Sequence, residues 1–308
     1  MFFEGAEKRI EIVVDEFTSN LRELGELFWN TALAKAGASI LSTISNDCCD
    51  AYVLSESSLF VWKDKILLIT CGNTSLIDTS VQILESVGVD HLKWFSYQRK
   101  SELYPYLQTS SFEDDVIRLK QYIDGHAYRM GHLDGHHHYL FYNDPSPSQQ
   151  RFSALQMYHI KGALADYLLS EQQHKSQIFT QLQLNSLLPG FKFDDWLFNP
   201  CGYSINGIYQ DQYITIHITP QAPSSYVSIE TNFAGTESLF DIFSSMLNIF
   251  NPGSWDVIGF NAHLPANGIG CSVPLIECSL ALNNKDNLHI NQYRQLACEQ
   301  LAPVEFLP

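Results

Sequence analysis

Short runs of alternating apolar and polar residues in the N-terminal part of the chain predict β-strands. The run KRIEIVVDEF (8–17) alternates well enough to be a half-buried strand. Residues 51–62 and 65–71 then predict a hairpin that turns at the polar triplet KDK. The first of these strands carries the unusual polar run Ser55–Ser58, and the lone Cys71 ends the second.

Apolar residues at helical spacing predict four helices along the chain. The second of them has acidic residues in its first turn, which complement the positive end of the helix dipole. The predicted helices are 73–89, 112–123, 152–169 and 239–250.

Hairpins alternate with these helices. Residues 127–142 predict a hairpin that turns at Asp134-Gly135, and GYSINGIY with YITIHIT predicts another. YVSIETNF and WDVIGFNAH predict further strands. This order indicates a largely antiparallel α+β protein, and the echo of hairpin then helix in both halves suggests an internal duplication. The polar stretch 144–150 is too short to mark a domain boundary, so 1–308 is predicted as a single domain.

Composition narrows the function classes. The chain has 308 residues, 45% of them hydrophobic, and a formal net charge of −16. That charge disfavours nucleic acid, whose phosphates require a basic surface. No apolar run approaches the length of a membrane span, and the N-terminus lacks the pattern of a signal peptide. The seven cysteines are odd in number and form no CxxC pair, so we expect reduced thiols in a cytoplasmic protein.

Four histidines in HLDGHHHYL suggest a metal site at first sight: His132, His136, His137 and His138. Consecutive strand residues point to opposite faces, and no cysteine or carboxylate at ligand spacing completes a tetrahedral set. We therefore predict a solvated hairpin and no metal. Because a Gly-rich phosphate loop, a GxSxG elbow and HExxH are all missing, a cofactor is absent, recruited without a motif, or made from the chain.

A serine in the run at 55–58 could supply such a cofactor. Its hydroxyl can attack the preceding carbonyl, and elimination of the resulting ester leaves a dehydroalanine that hydrolyses to a pyruvoyl group. This chemistry needs a base and donors for an oxyanion. The product would be an electron sink comparable with pyridoxal phosphate. Chemistry alone does not choose among Ser55, Ser57 and Ser58.

Sequence blocks spread over most of the chain carry a family resemblance. The blocks are FFEGAEK (2–8), YVLSESSLFVWK (52–63), TCG (70–72), FNPCGYSINGI (198–208), YITIHITP (213–220) and SYVSIETNF (225–233). In this order they resemble the eukaryotic-type S-adenosylmethionine decarboxylase proenzymes. The resemblance implies a four-layer α/β/β/α sandwich of two antiparallel sheets.

The resemblance also implies an activity. The chain would cleave itself between Glu56 and Ser57 into 1–56 (β chain) and 57–308 (α chain). Ser57 would become a covalently bound pyruvoyl group, so neither a metal nor pyridoxal phosphate would be needed. S-adenosylmethionine would form a Schiff base with this group and lose carbon dioxide, which yields the aminopropyl donor for spermidine and spermine synthesis. The αβ units could pair as a homodimer.

Processing and proton transfer are implied at three positions. Cys71 matches the donor that protonates the product carbanion, and a partly exposed thiol of ordinary pKa would suit this role. His217 matches the base for elimination, and Ser204 matches a residue that hydrogen-bonds to the intermediate. Without the resemblance, Cys71 and His217 would be read as ordinary core residues. Cys201 would line the pocket.

Substrate contacts are implied elsewhere. Phe3 and Phe198 match the aromatic pair that sandwiches the adenine, where flat π faces can stack. Glu4 and Glu7 match acidic residues that would attract the sulfonium and position the substrate. Glu56, which precedes the cleavage point, is also assigned to the substrate site.

One position departs from the family pattern. The family has a glutamate after HITP that holds the ribose hydroxyls, whereas this chain has Gln221. Glutamine offers an acceptor and a donor, but a neutral hydrogen bond contributes about 1 kcal/mol against roughly 1.5–3 kcal/mol for a charged one. The alternative of a pyruvoyl decarboxylase for another amino acid therefore stays open. A non-catalytic regulatory paralogue is a second alternative, although such paralogues typically lose the processing serine.

Buried charges would replace a diamine activator. Mammalian-type members bind putrescine in an acidic cluster between the sheets, whereas plant-type members fill that space with arginines. Arg9 and Arg99 match those arginines, with Glu11 and Glu230 as their carboxylate partners. We therefore expect processing and activity without putrescine.

Overall fold

Two eight-stranded antiparallel sheets form the centre of the fold. The computed structural model describes residues 3–18, 20–132, 135–143, 148, 150–221, 224–262 and 272–296. The strands of the first sheet are β1 (Lys8–Val14), β2 (Ile40–Ser45), β3 (Cys49–Leu54), β4 (Ser57–Trp62), β5 (Lys65–Thr70), β6 (Leu92–Lys100), β7 (His126–Gly131) and β8 (His137–Tyr142). Those of the second are β9 (Phe152–Tyr158), β10 (Lys192–Leu197), β11 (Tyr203–Tyr209), β12 (Gln212–Thr219), β13 (Tyr226–Thr231), β14 (Ser254–Phe260), β15 (Ser272–Ala281) and β16 (Asn287–Gln295).

The two sheets have the same topology. The first runs β2-β3-β4-β5-β1-β6-β8-β7, and the second runs β10-β11-β12-β13-β9-β14-β16-β15. Each strand of the first sheet thus has a counterpart at the same place in the second. This correspondence supports the predicted internal duplication.

Helices cover the outer face of each sheet. They are α1 (Gly25–Ala36), α2 (Leu76–Val87) and α3 (Phe112–Leu119) on the first sheet, and α4 (Ala163–Leu168), α5 (Lys175–Gln181), α6 (Leu184–Leu187) and α7 (Thr236–Phe250) on the second. Short 3-10 helices occupy Leu21–Leu24, Val89–His91 and Pro105–Leu107. The predicted four-layer α/β/β/α sandwich is confirmed. Across the described ranges, no helix has the length and apolar character needed to cross a membrane.

Strand β1 shows how the layers arise from the sequence. Its side chains alternate, so Ile10 and Ile12 pack under the helices while Arg9 and Glu11 point between the sheets. All seven residues of the strand are buried, because the second sheet covers the face that would otherwise meet water. The prediction of a half-buried strand was therefore wrong.

Two other predicted elements differ from the structure. Residues 152–169 are not one helix: 152–158 form β9, and a helix follows only at Ala163–Leu168. β9 pairs with β13 and β14 along its two edges, and all seven of its residues are buried. A short segment buried on both faces has no periodicity that separates strand from helix. Residues 51–62 are not one strand, because Ser55 and Glu56 form a turn between β3 and β4.

The predicted helices 73–89 and 112–123 are confirmed as the shorter α2 and α3, and 239–250 lies within α7. The hairpins at 126–142 and 203–219 are confirmed as β7–β8 and β11–β12. Asp134, which was predicted to turn the first of these hairpins, lies outside the described residues.

Part of the histidine segment is buried, contrary to the prediction of a solvated hairpin. His138 points between the sheets, where its Nε2 lies 2.8 Å from Oδ2 of Asp256. The same oxygen lies 2.7 Å from Nζ of Lys100 and 2.9 Å from the hydroxyl of Tyr158. His136 stacks on the Tyr158 ring. One carboxylate oxygen therefore joins the first sheet to the second in the protein interior.

We predict that Asp256→Ala destabilises the fold by about 3–5 kcal/mol, because it leaves the Lys100 ammonium buried without a carboxylate. The free energy of unfolding should be measured by denaturant titration in a Ser57→Ala chain, because the family resemblance implies cleavage before residue 57 and the measurement needs a single covalent species. Arg118→Ala is the control. It breaks an ion pair with Asp78 whose side chains are 46% and 31% exposed, and should cost about 0–1 kcal/mol. Equal losses in the two variants would contradict the prediction.

Candidate active site

A cavity of about 240 Å³ opens where the ends of β4 and β5 face β11 and β12. Residues predicted for the site that line it are Phe3, Glu56, Ser57, Cys71, Phe198, Cys201, Ser204, His217 and Gln221. The sequence reasoning did not single out Asn199, Pro200, Gly202, Ile218 and Thr219, which also line it. All five fall inside the FNPCGYS and HITP blocks, whose continuity was the available signal.

Ser57 is held in an unusual conformation at the start of β4. Its φ of 147° lies in the region that favours glycine, and a residue with a side chain is strained there. Its Oγ is buried and has no hydrogen-bond partner among the described residues. A buried hydroxyl without a partner loses its bonds to water and gains none in exchange. Ser57 thus combines backbone strain with an uncommitted hydroxyl.

The carbonyl before Ser57 is polarised by Cys71. The oxygen of Glu56 accepts a hydrogen bond of 2.9 Å from the Cys71 N–H and lies 3.2 Å from its Sγ. Cys71 is buried, and burial, reinforced by the carboxylates of Glu7 and Glu56, raises the pKa of its thiol well above the ordinary range. The thiol is therefore protonated and can donate its hydrogen. The expectation of a partly exposed thiol with an ordinary pKa was wrong.

Ser204 and His217 face each other across the β11–β12 hairpin. They are register partners, and Ser204 Oγ lies 2.9 Å from His217 Nδ1. Burial lowers the pKa of His217 to about 3, so the imidazole is neutral. A neutral imidazole at the cavity wall has a nitrogen lone pair that can accept a proton.

Close packing at Gly72 brings Phe3 and Glu56 to the cavity. A Cβ at this position would lie 2.8 Å from Oε2 of Glu56 and 2.9 Å from the Phe3 ring, and the φ of +71° also favours glycine. Burial raises the pKa of the Glu56 carboxyl to about 7. Phe198 lines the same cavity, so both aromatic residues predicted for the site are present there.

Gln221 is engaged with the main chain of Phe3. Its Oε1 accepts a hydrogen bond of 3.1 Å from the Phe3 N–H, and its Nε2 donates to the Phe3 carbonyl. Both ends of the amide are thus used to fix the residue that carries one of the aromatic rings. Contact with a ribose, as predicted, would require Gln221 to share or give up one of these bonds.

Glu4 and Glu7 do not line the cavity. The Glu4 carboxylate accepts hydrogen bonds from the main-chain N–H groups of Leu103, at 2.8 Å, and Tyr104, at 3.3 Å, and so ties the N-terminal segment to that loop. Glu7 points between the sheets, where Ser228 Oγ donates to it. Burial, reinforced by the charge of Glu230, raises the pKa of Glu7 to about 8. It therefore carries a proton at neutral pH.

Arg9 occupies the space between the sheets together with its predicted partners. Its Nε lies 3.0 and 2.9 Å from the two carboxylate oxygens of Glu230, and Nη2 lies 3.5 Å from Glu11. The guanidinium also stacks over the Phe152 ring at 4.1 Å. All of these groups are buried, so the arginine balances the two carboxylates in the protein interior.

Arg99 was predicted to share these carboxylates, and that pairing was wrong. Its guanidinium lies 2.7 Å from Glu102 and 2.7 Å from Asp115. Alternation along β6 explains the difference: Arg99 lies on the same face as Tyr97, which packs under the helices, whereas Lys100 points between the sheets.

Among the described residues, no group of three or more His, Cys, Asp or Glu side chains is arranged to hold a metal ion. The cysteines that the structure describes are all free thiols: Cys48, Cys49, Cys71, Cys201 and Cys278.

Comparisons with known proteins agree on one family. The family model described as adenosylmethionine decarboxylase matches residues 1–299. Similar proteins named S-adenosylmethionine decarboxylase proenzyme occur in Leishmania donovani, 34% identical over 84% of this chain and 73% of that protein, and in Dictyostelium discoideum, 35% identical over 88% and 77%. The Drosophila melanogaster protein of that name is 31% identical over 96% and 88%.

A solved structure supports the fold independently. The crystal structure of the Trypanosoma brucei AdoMetDC-delta26 monomer matches with a TM-score of 0.60 at 23% sequence identity. The match covers 78% of this chain and 99% of that one.

We predict that the protonated Glu7 makes the fold less stable as pH rises. Its folded pKa of about 8 lies above the ordinary value of 4.5, so the folded state keeps a proton that the unfolded chain releases. The stabilisation is complete below about pH 4.5 and is lost as pH rises towards 8, at up to about 1.4 kcal/mol per pH unit. The free energy of unfolding of the Ser57→Ala chain should be measured across this range.

Glu7→Gln mimics the protonated acid and should flatten the profile, whereas Glu113→Gln, at an exposed position of α3, should leave the slope unchanged. Parallel profiles for the Glu7→Gln variant and its parent would show that Glu7 does not titrate in this way.

Proposed function

The chain belongs to the adenosylmethionine decarboxylase family, whose members decarboxylate S-adenosylmethionine for polyamine synthesis, and we propose that it becomes active by cutting itself between Glu56 and Ser57. The family uses a pyruvoyl group, and we assign its origin here to Ser57. One observation carries the proposal. The strained Ser57 has a buried hydroxyl with no hydrogen-bond partner in the described part of the chain, beside a carbonyl that Cys71 already polarises.

The first step is attack of Ser57 Oγ on the carbonyl carbon of Glu56. Negative charge develops on the Glu56 oxygen, which the Cys71 N–H and S–H groups already contact. The hydroxyl proton passes to the departing amide nitrogen, and the peptide bond becomes an ester. Breaking the peptide bond between Glu56 and Ser57 also releases the backbone strain at the positive φ of Ser57, which favours formation of the ester.

The second step is elimination of the ester by His217. Its neutral imidazole takes the Cα proton of Ser57, Glu56 leaves as a carboxylate, and Ser204 hydrogen-bonds to the reacting group. Water then releases ammonia from the dehydroalanine. The new N-terminus of 57–308 carries the pyruvoyl group, whose carbonyl can bind the substrate amine and draw electrons away as carbon dioxide leaves.

Other cavity residues act on the substrate. The protonated Cys71 thiol can deliver a proton to the carbon that loses carbon dioxide. Phe3 and Phe198 offer apolar faces for the adenine, with Gln221 holding the Phe3 main chain and Glu56 at the cavity wall. Glu4 contributes indirectly, by fixing the segment that carries Phe3.

We further propose that 1–308 functions as one domain after it is cut. Residues 1–56 supply β1, β2 and β3 to the first sheet, and β1 lies between β5 and β6 of the other fragment. The fragments therefore stay paired through the sheet, as α and β chains from one precursor.

Two alternatives are less well supported. A regulatory paralogue would have no need of Ser57, Cys71, Ser204 and His217 assembled around one cavity. A decarboxylase for another amino acid would have no need of two aromatic residues at the cavity wall.

We predict that Ser57→Ala abolishes both chain cleavage and decarboxylation of S-adenosylmethionine, because the attacking hydroxyl is lost. Ser55→Ala is the matched control, because it removes a neighbouring serine hydroxyl that accepts a hydrogen bond from the Ser39 N–H. This variant should still yield two chains on a denaturing gel. A Ser57→Ala chain that is still cleaved, or one that is uncleaved but still decarboxylates S-adenosylmethionine, would contradict the proposal.

We also predict that processing and turnover are independent of putrescine, because Arg9 already balances Glu11 and Glu230. Arg9→Ala should slow both several-fold, since it leaves two buried carboxylates without a cation, and millimolar putrescine should restore them at fixed ionic strength. Several-fold stimulation of the unmodified protein by putrescine would refute this assignment.

A further inference from the structure

A chain of buried hydrogen bonds leads from His217 away from the cavity. The His217 Nε2 lies 2.9 Å from Thr215 Oγ1, which lies 2.8 Å from Oδ1 of Asn206. The Asn206 Nδ2 lies 3.0 Å from the carbonyl oxygen of Tyr52, and Ser58 Oγ lies 2.7 Å from Asn206 Oδ1. The sequence analysis assigned no role to Thr215, Asn206 or Tyr52.

We propose that Asn206 and Thr215 are positioning residues that fix the tautomer of His217, with the proton on Nε2 and the lone pair on Nδ1. The inference rests on the self-processing role proposed above for His217. It adds the reason why this histidine presents a base, and not an N–H donor, to the side where Ser204 lies.

The direction of each bond follows from what each group can donate. The Tyr52 carbonyl only accepts, so it faces the amide nitrogen of Asn206 and leaves Oδ1 on the other side. Two acceptors compete for the single hydroxyl hydrogen of Thr215: Asn206 Oδ1, which cannot donate, at 2.8 Å and Ser58 Oγ at 3.3 Å. Either bond directs that hydrogen away from the imidazole, and the shorter one favours Oδ1. The Thr215 oxygen then has only lone pairs left for the imidazole. The proton between them must therefore belong to Nε2 of His217.

The remaining ring nitrogen is consequently unprotonated. The His217 ring is neutral and carries a single proton, because burial lowers its pKa to about 3. With that proton on Nε2, the lone pair of Nδ1 accepts from the Ser204 hydroxyl at 2.9 Å. The opposite tautomer would set lone pairs of Nε2 and Thr215 against each other at a buried site, where such repulsion is costly.

The pairing of β11 with β12 brings the members of this hydrogen-bond chain together. Thr215 and His217 lie two residues apart on β12 and share a face, and their register partners on β11 are Asn206 and Ser204. Ser58, which follows Ser57 on β4, bonds to the same Asn206 oxygen. The amide that orients His217 is therefore also attached to the strand that begins at the cleavage point.

Nitrogen NMR on the histidine-labelled Ser57→Ala chain tests the tautomer without any need for cleavage. We expect the single ring proton of His217 on Nε2, with Nδ1 unprotonated. Thr215→Val keeps the side-chain shape and removes the hydroxyl, so it should shift the tautomer towards Nδ1–H, and Thr215→Ser should restore the parental signals. A proton on Nδ1 of His217 in the parent chain would overturn the proposal.

Kinetics of the cleavable chain provide the second readout. Thr215→Val should slow pyruvoyl formation by about tenfold or more and accumulate the ester at residue 57, which hydroxylamine cleaves. Thr215→Ser should recover the parental rate. Thr231→Val is the matched control, because it removes another buried hydroxyl, one that donates to the Tyr213 carbonyl on the neighbouring strand. It should process normally.

The outcomes separate this inference from the proposed function. Pyruvoyl formation at the parental rate in Thr215→Val would overturn the positioning role of Thr215 and Asn206 while leaving the proposed self-processing intact. A parent chain that never forms an ester or a pyruvoyl group would overturn the proposed processing. The tautomer of His217 would still be tested by NMR on the Ser57→Ala chain, independently of that result.

Discussion

The hydrogen bond from the Cys71 N–H to the Glu56 carbonyl is the contact on which the site depends. It joins the end of β5 to the turn between β3 and β4 and holds the carbonyl carbon next to the Ser57 hydroxyl. The same residue brings a protonated thiol to within 3.2 Å of that carbonyl. In the proposed mechanism, one strand end thus supplies both oxyanion stabilisation for cleavage and a proton for the substrate.

The duplicated fold places the two halves of the chemistry on different sheets. The first sheet carries the strained peptide on β4, and its counterpart in the second sheet, β12, carries His217. The charged groups between the sheets are paired across them, as in Arg9 with Glu230 and Lys100 with Asp256. Such pairs are costly to bury but costlier to break, so they fix how the sheets face each other.

Most strands and helices and the antiparallel α+β class could be predicted from the sequence, because hairpins and helical stripes leave periodic patterns. The four-layer sandwich and the residues of the cavity were instead implied by the family resemblance. The failures have physical causes. Strand β9 is buried on both faces and so loses the alternation that identifies a strand. Arg99 could not be assigned to a face without the register of β6. Thr215 and Asn206 were missed because a hydroxyl and an amide on strands carry no distinct signal until their partners are known.

Intact mass spectrometry of the purified protein after prolonged incubation tests the central claim most directly. Self-cleavage at the Glu56–Ser57 bond predicts two species, residues 1–56 with an ordinary carboxyl end and residues 57–308 lighter by one ammonia than a chain that begins with serine. A single persistent 35.0 kDa chain would contradict the account. So would a 57–308 fragment with its N-terminal serine intact, because simple hydrolysis produces no pyruvoyl group.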